Sequence, residues 1–96
     1  MKTEVKYQSI DKEAISELKF PESEVLNSQD SIIGRYNDLQ RALTLGNLEY
    51  HKIKIYFEDD VSGKIVDTTV WGLTDKRVIL KQGIVIPIHR IYKVKF

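Results

Sequence analysis

The sequence contains no cysteine, only two prolines and five glycines, and a single tryptophan in 96 residues. The absence of cysteine excludes disulfides, thiolate zinc sites and thiol catalysis, so the hydrophobic core has to supply the stability. Charge of one sign is not in excess, because 15 lysines and arginines stand against 14 aspartates and glutamates. This balance excludes a generally basic nucleic-acid coat and an acidic tail, but it allows a local charged patch.

Long hydrophobic runs are absent as well. No stretch approaches the roughly 18 apolar residues that span a bilayer, and charged side chains recur from Lys2 to Glu24, where a secretory signal would be apolar. The sequence therefore predicts a cytoplasmic protein that makes no membrane contact. Its length suits a single domain, residues 1–96, with one modest core.

The hydrophobic period changes at Gly46, from helical over residues 1–46 to alternating over residues 49–96. Charge changes too: residues 1–48 hold six basic and eight acidic side chains, and residues 49–96 hold nine basic and six acidic ones. An electrostatic binding surface is therefore expected in the second half.

The first half predicts two helices. A short one is expected from Ile10 to about Lys19, ended by Pro21. Ahead of it, residues 3–9 are predicted to form a frayed tail, with a short strand as the alternative.

The main helix is predicted over residues 29–46, capped at its start by Asn27 or Ser28. An apolar stripe follows helical spacing, and Arg35 lies opposite it, on the predicted solvent side. Gly34 indicates a kink or a close approach to the sheet. Gly46 with Asn47 is predicted to supply the left-handed cap that ends the helix. The stripe consists of Ile32, Tyr36, Leu39 and Leu43.

The second half predicts five strands, over residues 53–57, 64–72, 77–81, 84–88 and 91–96. Gln82-Gly83 is predicted as a tight hairpin, and Pro87 places the fourth strand at an edge. The acidic segment 58–63 is predicted as a solvated turn with Gly63 at positive φ. Apolar residues on the outer side, among them Trp71, Ile79 and Val85, should lie beneath the main helix or a partner subunit.

A helix followed directly by five strands, with a short hairpin after the third, resembles the small SH3-like or Sm-like β-barrel. The resemblance covers about residues 29–96 and is carried by segment 86–94, whose sequence Ile-Pro-Ile-His-Arg-Ile-Tyr-Lys-Val is similar to the last two strands and the intervening turn of such barrels. It implies an α+β fold in which N-terminal helices precede a five-stranded antiparallel barrel. Sm-like barrels also imply RNA binding, although the Asp-Gly and Met-Asn motifs of that family have no counterpart here.

Two other families share features with the chain. Segments 74–79 and 86–91 resemble the Thr-x-x-Arg-Val and Ile-Pro-x-x-x-Ile strands of bacterial PH-like domains. Residues 39–96 resemble the ligand-sensing barrel of WYL-type transcription regulators. We rank both behind the Sm-like interpretation, because no counterpart of the PH-like closing helix or of the WYL tripeptide is found.

No catalytic motif, phosphate-binding glycine loop or metal-ligand spacing occurs. His51 and His89 are the only imidazoles, and neither stands at a spacing typical of zinc ligands. His89 is expected to be a hydrogen-bonded turn residue. The sequence therefore predicts a non-enzymatic protein without cofactor or metal.

The functional hypothesis is a small binding or assembly module. A protein partner or a second copy is expected to bind along an apolar segment, and the alternative is nucleic acid on a basic strand face, which Lys93 and Lys95 extend. Trp71 either anchors an interface or packs under the main helix, and we prefer the second role. The candidate binding residues are Lys52, Lys54, Tyr56, Trp71, Arg77, Lys81 and Arg90, and the candidate interface residues are Ile84, Ile86, Ile88 and Tyr92.

Overall fold

The computed structural model describes residues 6–96, which form one α-helix, seven strands and three 3₁₀ turns. The helix is α1 (Gln29–Glu49). The strands are β1 (Tyr7–Ile10), β2 (Ile53–Glu58), β3 (Gly63–Thr68), β4 (Val70–Leu73), β5 (Arg77–Leu80), β6 (Val85–Pro87) and β7 (Ile91–Lys95). The 3₁₀ turns are Lys12–Glu17, Lys81–Gly83 and Ile88–Arg90.

The strands form two sheets. Sheet A has four strands in the order β1-β3-β2-β7, and sheet B has three in the order β4-β5-β6. β1 runs parallel to β3, and every other pairing is antiparallel. Pro87 lies on β6, an edge strand of sheet B, as predicted.

The predicted fold class, N-terminal helices followed by a five-stranded SH3-like or Sm-like barrel, is wrong. Within residues 6–96 the α-helix lies in mid-chain, the strands number seven, and the two sheets do not close into a barrel. The predicted strand 64–72 is interrupted at Thr69. Thr68, Thr69 and Val70 are buried in succession, which breaks the two-residue period of a strand and moves the chain from sheet A to sheet B.

The N-terminal segment also differs from its prediction. Residues 7–10 form β1, which pairs with β3 from Tyr7 opposite Gly63 to Ile10 opposite Val66. Residues 3–5 of the predicted tail lie outside the described residues. The predicted short helix is the six-residue 3₁₀ turn Lys12–Glu17, and it buries Ile15. This turn contacts β3 and β6 and thus links the two sheets.

The helix α1 begins as predicted and ends later. Ser28 caps it by accepting a hydrogen bond from the Ser31 amide, whereas the left-handed residue at its end is Tyr50, with φ 54°. Gly46 is buried inside the helix, where an added Cβ would collide with the Val70 carbonyl oxygen. The helix therefore approaches β4 at Gly46, whereas nothing lies within 4 Å of a Cβ built on Gly34.

One hydrophobic core joins the helix and both sheets. α1 contacts β4 and β7, an edge strand of each sheet, and so covers the gap between those edges. Among the described helices, none has the length and hydropathy needed to cross a membrane. The core residues are Ile15, Leu39, Ala42, Ile53, Ile55, Phe57, Val66, Val70, Val78, Leu80, Ile86, Ile88, Ile91 and Val94.

Candidate functional site

The seven candidate binding residues do not share one site. Two of them, Lys54 and Tyr56, project from the outer side of sheet A, and Lys52 lies exposed just before β2. Trp71, Arg77 and Lys81 belong to the exposed side of sheet B, and Arg90 is buried. The sequence pattern therefore merged two separate surfaces with one interior residue.

The outer side of sheet A at β2 and β7 carries four lysines, and we call it the basic face: Lys52, Lys54, Lys93 and Lys95, with Tyr56 and Phe96. All four lysines are exposed, and none forms an ion pair with another residue of the described chain. A hollow of about 420 Å³ opens on this face. Its lining is formed by Lys52, Ile53, Lys54, Tyr56, Asp67, Lys95 and Phe96.

Strand register concentrates positive charge on this face. Lys54 stands directly opposite Lys95, and Tyr56 stands opposite Lys93. Like charges in directly opposed positions destabilise a sheet by a few tenths of a kcal/mol to about 1 kcal/mol. Asp67, opposite Lys54 on β3, is the one acidic side chain lining the hollow. The face thus carries a net positive charge, of which Asp67 offsets only a part.

Aromatic rings of the basic face contact one of its lysines and one arginine of α1. The Lys93 ammonium lies 4.8 Å from the centre of the Tyr56 ring, whose edge-to-face partner is Tyr7 at 5.0 Å. The Arg41 guanidinium lies 4.5 Å from the centre of the Phe96 ring. These contacts orient cations without neutralising them, so the positive charge stays available to an anion.

Arg90 is a structural residue. It is 6% exposed, and its guanidinium donates to the carbonyl oxygens of Glu58 at 3.1 Å, Ser23 at 2.8 Å and Asp59 at 3.4 Å. His89 lies beside it, with Nε2 2.8 Å from the Pro21 carbonyl oxygen, so the predicted role as a bonded turn residue is confirmed. Both side chains fix the connector before α1 to the end of sheet B.

Arg35 is buried, contrary to its predicted solvent position. It forms a two-point ion pair with Glu24 at 2.6 and 2.7 Å and donates to the Ile91 carbonyl oxygen at 3.0 Å. The hydrogen bonds from Arg35 lower the pKa of the Glu24 carboxyl, and this outweighs its partial burial. A helical wheel cannot identify this pair, because Glu24 lies outside the helix.

The turn at 58–63 is exposed at Asp60 and Val61, but the prediction that all its acidic residues are solvated is wrong. Asp59 is 3% exposed and pairs with buried Lys64 at 3.2 Å. Burial raises the pKa of Asp59, but hydrogen bonds from the Ser62 and Val61 amides and from Lys64 outweigh it, so that pKa lies below its ordinary value. The predicted positive φ at Gly63 is also wrong, because Gly83 is the glycine at positive φ among the described residues.

The four candidate interface residues are mostly enclosed by the chain itself. Ile86 and Ile88 belong to the core, whereas Ile84 and Tyr92 are half-buried. The Tyr92 hydroxyl donates to a Glu58 carboxylate oxygen. Burial and this carboxylate raise the pKa of Tyr92 to about 12.

Trp71 does not pack under α1, which was the preferred prediction. It is 50% exposed on the outer side of sheet B, at a bulge between Val70 and Gly72. The two-residue alternation from buried Val70 already places Trp71 on the outer side, as predicted, but it does not show which side of the sheet α1 covers.

Over residues 6–96, no three histidine, aspartate or glutamate side chains are grouped as metal ligands would be. The chemistry that the basic face offers is electrostatic, with two aromatic rings beside the cations. No protein-family model matches the chain, and comparison with curated proteins and with solved structures returns no match either.

Proposed function

We propose that this chain is a non-enzymatic binding domain whose basic face holds the phosphate backbone of a single-stranded nucleic acid. The observation that carries the proposal is the register of β2 and β7, which sets Lys54 opposite Lys95 beside a hollow of about 420 Å³. Such repulsion is relieved when phosphates bind between the ammonium groups and release their counterions.

Single strands fit this face better than a duplex. Phe96 is 42% exposed at the rim of the hollow, and an unstacked base can lie against the part of its ring that the Arg41 guanidinium does not cover. Tyr56 offers less ring surface for stacking, because it is half-buried and Lys93 lies over it. Recognition would therefore be largely independent of base sequence.

The test is a titration of a fluorescein-labelled oligouridine, followed by anisotropy at several salt concentrations. Contacts from the four lysines Lys52, Lys54, Lys93 and Lys95 predict a slope of about −3 for log K against log salt, at about −0.7 per phosphate in a single strand. The double variant Lys54→Glu/Lys95→Glu should weaken binding by about tenfold or more, roughly 1.4 kcal/mol.

The matched control is Lys76→Glu/Lys81→Glu, which changes the net charge equally on exposed residues elsewhere. It should retain most of the affinity of the original chain. Equal loss in the two double variants would mean that overall charge, and not the basic face, attracts the oligonucleotide. Unchanged affinity in Lys54→Glu/Lys95→Glu would refute the proposal.

A protein partner or a second copy remains a prediction. Self-association through the strands at 84–88 and 91–96 would depend on Ile84 and Tyr92 among the four predicted interface residues, since Ile86 and Ile88 lie in the core. The four predicted interface residues therefore offer a protein partner only the exposed parts of Ile84 and Tyr92.

A further inference from the structure

The outer side of sheet B exposes apolar side chains that residues 6–96 cover only in part. Trp71 is 50% exposed, Val85 is 42% exposed and Ile79 is half-buried between them. We call these three residues the apolar face. Ile79 stands opposite Val85 on one side and opposite Gly72, the neighbour of Trp71, on the other, so the apolar face forms a row across the sheet from the Trp71-Gly72 segment to Val85.

Gly72 makes this row flat. A Cβ at residue 72 would lie 3.1 Å from the Ile79 Cδ1 atom, so the Ile79 side chain extends over the place that another side chain would occupy. A flat strip that contains the chain's only tryptophan is the kind of surface on which binding energy concentrates.

The charges beside the strip are all positive. Arg77 and Lys81 flank Ile79 at two residues on either side, and both are exposed. β4, β5 and β6 contain no aspartate or glutamate, and Asp75 in the preceding turn is the nearest acid in sequence. In a symmetric pair of copies the same cations would meet across the interface. The rim therefore disfavours a second copy and complements a partner that bears carboxylates.

The spacing specifies the partner further. Four residues of extended chain separate Arg77 from Lys81, a distance of about 13 Å at 3.3 Å per residue. An α-helix spans the same distance in slightly more than two turns, at 1.5 Å per residue. Carboxylates at the two ends of such a stretch, with apolar side chains at i, i+3, i+4 and i+7 between them, would meet the cations and the row together.

We propose that the apolar face docks an acidic amphipathic helix of a partner protein. This surface lies on the opposite sheet from the basic face, so the inference is independent of nucleic-acid binding. Exposed ion pairs would set orientation and rate more than affinity, and burial of Trp71 and Val85 would supply most of the attraction.

Trp71 provides the readout, because its indole is the chain's only one. The probe is a synthetic helical peptide of about 15 residues, with leucines at the helical spacing above and glutamates flanking them. Binding should shift the Trp71 emission to shorter wavelength and reduce its quenching by acrylamide. A peptide of the same pattern with lysines in place of the glutamates should bind at least about tenfold more weakly.

Two variants locate the site. Val85→Glu places a carboxylate in the row and should weaken peptide binding by about tenfold or more, whereas Val61→Glu, at a residue that is 80% exposed in another turn, should leave it unchanged. Arg77→Glu/Lys81→Glu changes only exposed side chains and should also abolish the preference for the acidic peptide. This double variant tests the proposal if Val85→Glu does not fold.

Loss of peptide binding in Val85→Glu but not in Val61→Glu would support the proposal. Equal binding of the acidic and basic peptides would overturn it, and so would an emission shift that depends on protein concentration without peptide, since a second copy would then occupy the face. The variant Lys54→Glu/Lys95→Glu should lose oligonucleotide but keep the peptide, which separates failure of this proposal from failure of the basic face.

Discussion

Alanine at Gly46 should destabilise the fold, whereas alanine at Gly34, on the same helix, should stabilise it. A Cβ at residue 46 would collide with the Val70 carbonyl oxygen and come within 3.0 Å of the Thr69 Cγ2 atom. The obstructing oxygen belongs to the backbone of β4 and cannot rotate away, so α1 or β4 has to shift. A Cβ at residue 34 meets nothing within 4 Å.

Two opposing contributions, overpacking and helix propensity, set the expected change in unfolding free energy of each variant. Overpacking costs about 1–3 kcal/mol, and the upper part of this range applies where the obstacle is backbone. Replacing glycine by alanine inside a helix recovers roughly 1 kcal/mol. Gly46→Ala should therefore lose about 1–2 kcal/mol of unfolding free energy, and Gly34→Ala should gain about 0.5–1 kcal/mol.

Thermal and urea unfolding followed by circular dichroism measure both effects. At about 2.1 cal/mol/K per residue, a chain of 96 residues changes its Tm by about 5 °C for each kcal/mol. Gly46→Ala should lower the Tm by about 5–10 °C, and Gly34→Ala should raise it by about 3–5 °C. A stabilising Gly46→Ala would refute the close approach of α1 to β4, because only the helix propensity would then remain.

Two further predictions concern charges. Lys95→Glu replaces a repulsion with Lys54 by an attraction across β2 and β7, so it should stabilise the fold by about 0.5 kcal/mol while weakening oligonucleotide binding. Urea unfolding measures the change in stability, and anisotropy measures the change in oligonucleotide affinity. A destabilised variant would contradict the pairing of Lys54 with Lys95. Glu24→Gln leaves the buried Arg35 charge without its partner and should cost about 1–2 kcal/mol at pH 7, a reduced figure because the Glu24 side chain is 30% exposed. Since the folded pKa of Glu24 lies below the unfolded one, its stabilisation is present above the unfolded value near 4.3 and is lost as pH falls through the folded pKa. Urea unfolding at several pH values should therefore show a smaller acid-induced loss in Glu24→Gln, and identical pH profiles would contradict this role.

Local patterns predicted the elements whose determinants lie close together in sequence. Ser28 caps α1, β5 lies within the predicted bounds and β2 runs one residue beyond them, and Gln82 and Gly83 have positive φ at the tight turn. Each of these follows from neighbouring residues: a capping hydroxyl, an alternating strand or a glycine in a turn.

Contacts between distant segments could not be predicted in this way. The close approach predicted for Gly34 occurs at Gly46, because the space around a helical glycine depends on the sheet packed against it. The predicted barrel is wrong because the chain passes from sheet A to sheet B at Thr69. Arg35 is predicted on the surface, but the structure buries it beside Glu24 and the Ile91 carbonyl, which lie far from it in sequence.

The candidate site shows the same division. Alternation placed Lys54 and Tyr56 correctly on one side of a strand. The register of β2 against β7, which sets Lys54 opposite Lys95, depends on a pairing between segments about forty residues apart and on a bulge beyond Tyr56. Trp71 and Arg77 have the composition of a binding surface but lie on the other sheet.

The most direct test of the basic face is an NMR titration of the isotope-labelled chain with oligouridine at low salt, followed through backbone amide shifts. The account predicts that the perturbed amides cluster on β2 and β7, around Lys54 and Lys95, and recover as salt is added. Shifts confined to sheet B around Trp71 and Arg77, or no shifts at an oligonucleotide excess, would contradict it.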